Sequence, residues 1–261
     1  MEAKISSTIT LNNKTNMPRL GFGTWKISKG KDALEAVTWA LQAGYRHIDT
    51  AKIYGNEVSV GKAIKNSGID RDKIWVTTKL WPTDFIRAEK AFEISLAKLG
   101  LDYVDLYLVH WPVPRTEKKV WRKMENIYIT GKAKAIGVSN YTASSLQITL
   151  DIANIVPSVD QVKCSVFGYN KKVYELCQQS GVVFEAYSPL THGKRLNNET
   201  VGEIAEKYNK TPAQIMLRWA LQKNIVVIPK STHQDRIVEN KNIFNFAISP
   251  SDMHKLDKLS E

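Results

Sequence analysis

The chain has 261 residues, 43% hydrophobic and 24% charged, which is ordinary globular usage and enough for one large core, and argues against a disordered chain. The N-terminal MEAKISSTIT has no apolar signal core, and no apolar run approaches the ~18 residues of a membrane helix, so the cytoplasm is the expected location and no membrane partner is expected. The net charge of +11 raises nucleic acid as a partner, but much of it lies in residues 114–134. There Lys118, Lys119, Arg122 and Lys123 share one helical face, opposite Val120, Trp121, Met124, Ile127 and Tyr128. This is an amphipathic helix with a solvated basic face; no nucleic-acid motif accompanies it, and no nucleic-acid partner is expected.

Along the chain, STITLNNKTN before Pro18 reads as a short hairpin. Strand candidates then recur: RLGFGT (19–24), YRHID (45–49), IWVTTKL (74–80), VDLYLVH (104–110), AIGVSN (135–140), SVDQVKC (158–164), VVFEAY (182–187) and IVVIPK (225–230). Several are continuous and β-branched, as strands buried on both faces should be. Helical patterns lie between them. Residues 32–44 place Ala33, Val37, Ala40 and Leu41 on one face, and residues 85–100 align Ile86, Ala91, Ile94, Leu96 and Leu99 less cleanly. Gly44, Gly68, Gly100, Gly131 and Gly181 stand where helices should stop, and Thr211-Pro212 reads as an N-cap with a first-turn proline. Two helical patterns, 200–210 and 212–223, precede the last strand.

Eight βα units without a linker predict a single-domain (β/α)₈ TIM barrel over 1–261, with the 1–18 hairpin closing its bottom and a C-terminal helix and tail over 245–261. An open doubly wound sheet is the alternative. Against it, Gly21-Phe22-Gly23 is the only early G-x-G, and it does not open a helix. Cys164 and Cys177 offer neither a disulfide framework nor metal-ligand spacing; buried apolar packing suits them, and no metal is expected.

Barrel sites lie at the C-terminal ends of the strands. Those ends carry Thr24-Trp25, Asp49, Lys79, His110, Ser139-Asn140, Gln161, Tyr187 and Lys230. A barrel that only had to fold needs no Asp, Lys and His closing three successive apolar runs. A carbonyl that accepts a hydride needs a proton donor at its oxygen, and tyrosine has an ordinary pKa of about 10. An adjacent ammonium, itself held by a carboxylate, should lower that value; Asp49, Tyr54 and Lys79 supply the set. His110 could orient the carbonyl or stabilise developing charge on its oxygen.

With these residues the sequence resembles the aldo-keto reductases along essentially its whole length. DTAKIYGNE (49–57) is similar to the family signature D-T-A-x-x-Y-G-N-E, and TTKLW, LVHWP, GVSNY, EAYSPL and IPKSTHQDRIVEN follow in order. The resemblance implies a cytosolic, monomeric, NADPH-dependent reductase of a small carbonyl substrate, with Asp49, Tyr54, Lys79 and His110 as catalytic residues and Tyr54 as the acid. It assigns Ser139, Asn140 and Gln161 to the nicotinamide carboxamide, Tyr187 to ring stacking, and Ser188 and Leu190 to the pyrophosphate. Lys230, Ser231, Thr232 and Arg236 match the segment that grips the 2′-phosphate, and Asn240 an adenine contact; a dianion suits a cation, a hydroxyl and an Arg fork. Gly23, Thr24, Trp25 and Asp49 join the cofactor contacts, and Trp25, Trp81, His110 and Trp111 wall the substrate pocket.

Two departures stand out. Where the family continues V-E-x-H-P-Y, this chain reads VKCSVF (162–167), and the segments after His110 and before Glu261 are short, which implies an open, weakly discriminating pocket. A cofactor-binding regulatory subunit of the same fold, with little turnover, is the alternative function.

Overall fold

A computed structural model describes residues 4–260; residues 1–3 and 261, included in the single-domain reading, lie outside the described residues. The chain opens with the expected hairpin. Strand β1 (Thr8–Thr10) pairs antiparallel with β2 (Asn16–Pro18). There follow β3 (Phe22–Gly23), α1 (Lys31–Gln42), β4 (His47–Asp49), α2 (Glu57–Asn66), β5 (Trp75–Leu80), α3 (Ala88–Leu99), β6 (Val104–Val109) and α4 (Glu117–Ile129). The second half adds β7 (Ala133–Ser139), α5 (Ala143–Ile152), β8 (Val159–Lys163), α6 (Lys171–Ser180), β9 (Val183–Tyr187), α7 (Glu199–Lys207), α8 (Pro212–Gln222), β10 (Val226–Ile228), α9 (Gln234–Lys241) and α10 (Pro250–Asp257).

Strands β3 to β10 pair in parallel, each with its sequence neighbour. The ring closes where Leu20 bridges Val227, and Gly21 N and Gly23 N donate to the carbonyls of Val227 and Pro229. This is a closed (β/α)₈ barrel, with α7 and α8 both in the last connection. The barrel interior and the helical layer form two separate apolar clusters. Trp75, Val159, Val183 and Val226, each the first residue of its strand, pack inside with Leu11 and Met17 of the hairpin. Burying those two side chains is what fixes the hairpin across the bottom of the barrel. Gly137 shows how tight the interior is: a Cβ there would lie 2.4 Å from the Val159 carbonyl oxygen.

The helix faces follow their periodicity with one exception. Helix α1 buries Ala33, Val37, Ala40 and Leu41 as expected. Across 85–100 Ala91, Leu96 and Leu99 are buried as expected but Ile86 and Ile94 are not, because residues 82–87 form a 3-10 turn before α3 begins. The change of pitch throws Ile86 out to 86% exposure and leaves Ile94 exposed, while Phe92 takes the core position. All five helix-stop glycines have positive φ, with Gly100 (64°) and Gly181 (66°) in the left-handed C-cap itself. Thr211 caps α8 in a reciprocal capping box with Gln214. The basic face of α4 is partly paired, Arg122 with Glu125 and Lys123 with Glu89, and both cysteines are buried and free.

Candidate active site

The strand ends place their polar side chains around one cavity of about 890 Å³. Tyr54 reaches it from a 3-10 turn, Lys52–Tyr54, that directly follows β4. Two clamps hold this turn. Lys52 is ion-paired with Asp84. Asn56 accepts from Thr50 Oγ1 at 2.8 Å and donates to the carbonyls of Thr24 (3.0 Å) and Ile27 (3.2 Å), tying the loop after β3 to the end of β4.

Asp49, Tyr54 and His110 line the cavity, and Lys79 lies fully buried behind it. Lys79 Nζ donates to both Asp49 carboxylate oxygens at 2.7 Å, to the Thr50 carbonyl at 2.9 Å and towards Tyr54 Oη at 3.4 Å. Burial opposes the Lys79 ammonium and is the largest single influence, but the charge and hydrogen bond of Asp49, with Tyr54 and Glu185, together outweigh it and hold the group above the ordinary lysine value. Burial raises Asp49, with Lys79 and Gln161 pulling it back.

Tyr54 does not behave as its neighbour alone implies. Burial pushes its phenol up to about 12, and the opposing pull of Lys79 recovers only part of that shift. The sequence discloses the ammonium but not the desolvation, so the expected lowering is corrected. His110 sits edge-on to Tyr54, with ring centroids 5.6 Å apart, and its Nδ1 is buried without a partner. Burial, then Lys79, drives the imidazole down to about 3, so it is neutral at physiological pH.

Aromatic rings wall this end of the cavity. Trp25 lies 4.8 Å from Tyr54 and Trp81 lies 5.1 Å from His110, centroid to centroid. Trp111 also faces the cavity and, like Trp25, is nearly half exposed, so the mouth is broad.

The cavity continues past Ser139, Asn140, Gln161 and Tyr187. Tyr187 Oη donates to Asn140 Oδ1 at 2.6 Å, and Asn140 Nδ2 donates to the His110 carbonyl at 2.9 Å. Ser139 Oγ donates to the Gln161 carbonyl at 2.8 Å. Gly23, Ser188, Leu190, Lys230, Ser231, Thr232, Arg236 and Asn240 also line the cavity. Thr24 is the exception: it is fully buried behind the wall, its hydroxyl on the Asp49 carbonyl at 2.9 Å.

Sequence reasoning missed Lys26, His192 and Glu239, which also line the cavity. The first two sit on loop residues with positive φ, which no periodic pattern marks. Burial and the charge of Lys26 lower Lys230, so two ammonium groups face one space. The acid nearby, Glu239, is engaged by Thr211 Oγ1 at 2.8 Å. A cavity of this size whose lining includes a proton donor, aromatic rings and the cations Lys26, Lys230 and Arg236 fits a dinucleotide carrying several phosphate charges.

Around segment 162–167 the rim closes by a tight turn. Ser165 and Gly168 exchange backbone hydrogen bonds, Val162, Cys164 and Val166 fill the core, and Arg195 stacks on Phe167 at 3.9 Å. Among the described residues no helix is long and apolar enough to cross a membrane.

Known proteins share this architecture. The model of the Aldo/keto reductase family matches residues 19–261. A glyoxal reductase of Bacillus subtilis is 44% identical over 100% of this chain and 95% of its own length. A 9,11-endoperoxide prostaglandin H2 reductase of Trypanosoma cruzi is 43% identical over 97% of this chain and 91% of its own. A crystal structure of an aldo/keto reductase from Brucella melitensis superposes with a TM-score of 0.93 at 43% identity, covering 97% of this chain and 99% of that one. The chain therefore belongs to the aldo/keto reductase family, a family of oxidoreductases.

Proposed function

We propose that the protein reduces aldehydes and ketones with NADPH, and that Tyr54 delivers the proton. One observation carries this reading: a half-buried phenol lines the cavity, within 3.4 Å of an ammonium that is itself locked on a carboxylate. Bound NADPH would supply the hydride from nicotinamide C4. A phenol raised to about 12 stays protonated at physiological pH, as a donor must, yet remains far more acidic than the alcohol that the alkoxide becomes on taking its proton. Lys79 stabilises the phenolate left behind, and Asp49 keeps Lys79 in place. His110, neutral, can donate one ring N–H to the carbonyl oxygen and so orient it beside Tyr54.

Lys230 and Arg236, with Ser231 and Thr232, would hold the 2′-phosphate, and Lys26 the charge nearer the pyrophosphate. Asn240 would meet the adenine. Ser139, Asn140 and Gln161 would receive the carboxamide and Tyr187 the ring face. Trp25, Trp81 and Trp111 favour apolar or small substrates, and the broad mouth supports weak discrimination among them. The name of the glyoxal reductase relative accords with a small reactive carbonyl. The reading takes the protein to act as a monomer, and two buried free thiols suit the cytoplasm.

The test is NADPH oxidation against a panel of aldehydes, ketones and sugars, with Tyr54→Phe alongside. The variant should lose carbonyl reduction while binding NADPH nearly as tightly as wild type. A Tyr54→Phe protein that turns over at the wild-type rate would overturn the proton assignment. A wild type that binds NADPH tightly but reduces nothing on the panel would favour a regulatory role.

A further inference from the structure

Beneath the cavity floor lies a buried carboxyl group that the proton chemistry above does not use. Glu185, on β9, is fully buried inside the barrel, in register with Gln161 on β8 and Val226 on β10. Gln161 spends both amide hydrogens on carboxylates: Nε2 donates to Asp49 Oδ2 at 2.8 Å and to Glu185 Oε2 at 2.9 Å. A primary amide has two donors and one acceptor oxygen, so this double engagement leaves only Oε1 of Gln161 for the cavity it lines. An oxygen presented there can accept from a carboxamide N–H; an NH₂ could not.

We propose that Glu185 is a positioning residue that acts through Gln161 on the nicotinamide end of the cofactor, and that its proton biases the pocket between the reduced and the oxidised ring. This rests on the nicotinamide reading of the cavity. The second half follows from charge. The groups facing Glu185 are Asp49 and His47 from β4, Lys79 from β5 and Gln161 from β8, while β10 offers only Val226. Lys79 is already matched by Asp49. His47 Nε2, 3.6 Å from Glu185 Oε1, belongs to an imidazole that burial pushes down to about 3, so it brings no compensating charge. Burial and the charge of Asp49 raise Glu185 to about 8. Below that pH its carboxyl is neutral and still accepts from Gln161; above it, an unmatched negative charge lies under the ring. NADP⁺ carries a positive ring and NADPH a neutral one, so ionised Glu185 favours NADP⁺.

The experiment measures Kd for NADP⁺ and NADPH by quenching of tryptophan fluorescence between pH 6.5 and 9.5, in wild type and Glu185→Gln. Titration of the 2′-phosphate affects both ligands alike and cancels in the ratio of the two constants. In wild type that ratio should move several-fold towards NADP⁺ as the pH passes about 8, with a fraction of a proton released on binding NADP⁺. In Glu185→Gln, neutral at every pH and still able to accept from Gln161, the ratio should stay flat and NADPH affinity at pH 7 should be kept. Glu185→Leu removes the acceptor. It should weaken NADPH by roughly five- to tenfold, about one hydrogen bond, while leaving unchanged the affinity for 2′-phospho-ADP-ribose, which lacks the nicotinamide.

Should Glu185→Leu fail to fold, the ratio in Glu185→Gln still decides. A pH-dependence retained in Glu185→Gln, or equal losses of NADPH and 2′-phospho-ADP-ribose in Glu185→Leu, would overturn the proposal. A wild type that binds neither dinucleotide would instead overturn the cofactor reading beneath it.

Discussion

Replacing Lys79 with methionine tests the buried pair at the centre of the site. The side chain of Lys79 is fully buried and its ammonium spans both oxygens of Asp49, the Thr50 carbonyl and the Tyr54 hydroxyl. Methionine matches its length but leaves Asp49 with Gln161 as its remaining hydrogen-bond donor. Removing one partner of a buried pair costs about 3–5 kcal/mol, which for a chain of this size lowers Tm by roughly 6–20 °C. The loss depends on pH, because Asp49 can escape by taking up a proton. Without Lys79 its folded pKa rises further above the unfolded value, so the stability it contributes is present at low pH and lost as pH rises. The gap between wild type and Lys79→Met should therefore widen from pH 5 to pH 8, by up to about 1.4 kcal/mol per pH unit while Asp49 carries the extra proton. Asp49→Leu/Lys79→Met removes both charges and should recover most of the stability, although neither variant reduces aldehydes. Urea unfolding at the two pH values, read beside NADPH oxidation, measures both quantities. A Lys79→Met loss below about 1 kcal/mol at pH 8, or a double variant no more stable than the single one, would refute the buried-charge account.

Other expectations follow from the same geometry. Lys230→Ala and Arg236→Ala should each weaken NADPH binding by about tenfold or more and barely affect NADH, checked by titration with both cofactors. In Glu185→Gln, which lacks the carboxyl that titrates near 8, carbonyl reduction should stay level from pH 6 to 10, because Tyr54 is protonated up to about 12 and His110 is neutral above about 3. Alcohol oxidation needs the phenolate and should climb with pH over that range; parallel pH profiles would count against Tyr54. Asp160 is fully buried with no side-chain partner for its carboxylate, and burial, only partly offset by the Tyr141 backbone N–H, lifts its pKa well above the ordinary value. Its folded pKa exceeds the unfolded one, so its contribution is lost as pH rises, and Asp160→Asn should raise the urea midpoint more at pH 8 than at pH 5. Gly137→Ala must push the Val159 carbonyl aside and should cost at least about 1–3 kcal/mol in the same assay.

The barrel was legible because each strand is an apolar run that stops on a polar residue, and in a closed parallel barrel those stops converge on one rim. Asp49, Lys79, His110 and Gln161 could be read that way although they span more than a hundred positions. Glu185 could not. It lies two residues inside the end of β9, on the same face as Tyr187, and a strand buried on both faces gives no alternation to show which residues point inward. Had Tyr187 been fixed as inward, the period of two would have delivered Glu185, as Asp49 delivers His47. Tyr54 marks a different limit. The sequence places an ammonium and a phenol in one site, but whether charge or desolvation prevails depends on how many atoms exclude water. Here Trp25 on one side and His110 on the other help to dry the phenol. The aromatic wall that would select the substrate thus also holds the proton on Tyr54. Opening the wall, as in Trp25→Ala, should lower the phenol's pKa and move the alkaline limit of reduction to lower pH, a shift that a loss of substrate binding alone would not produce.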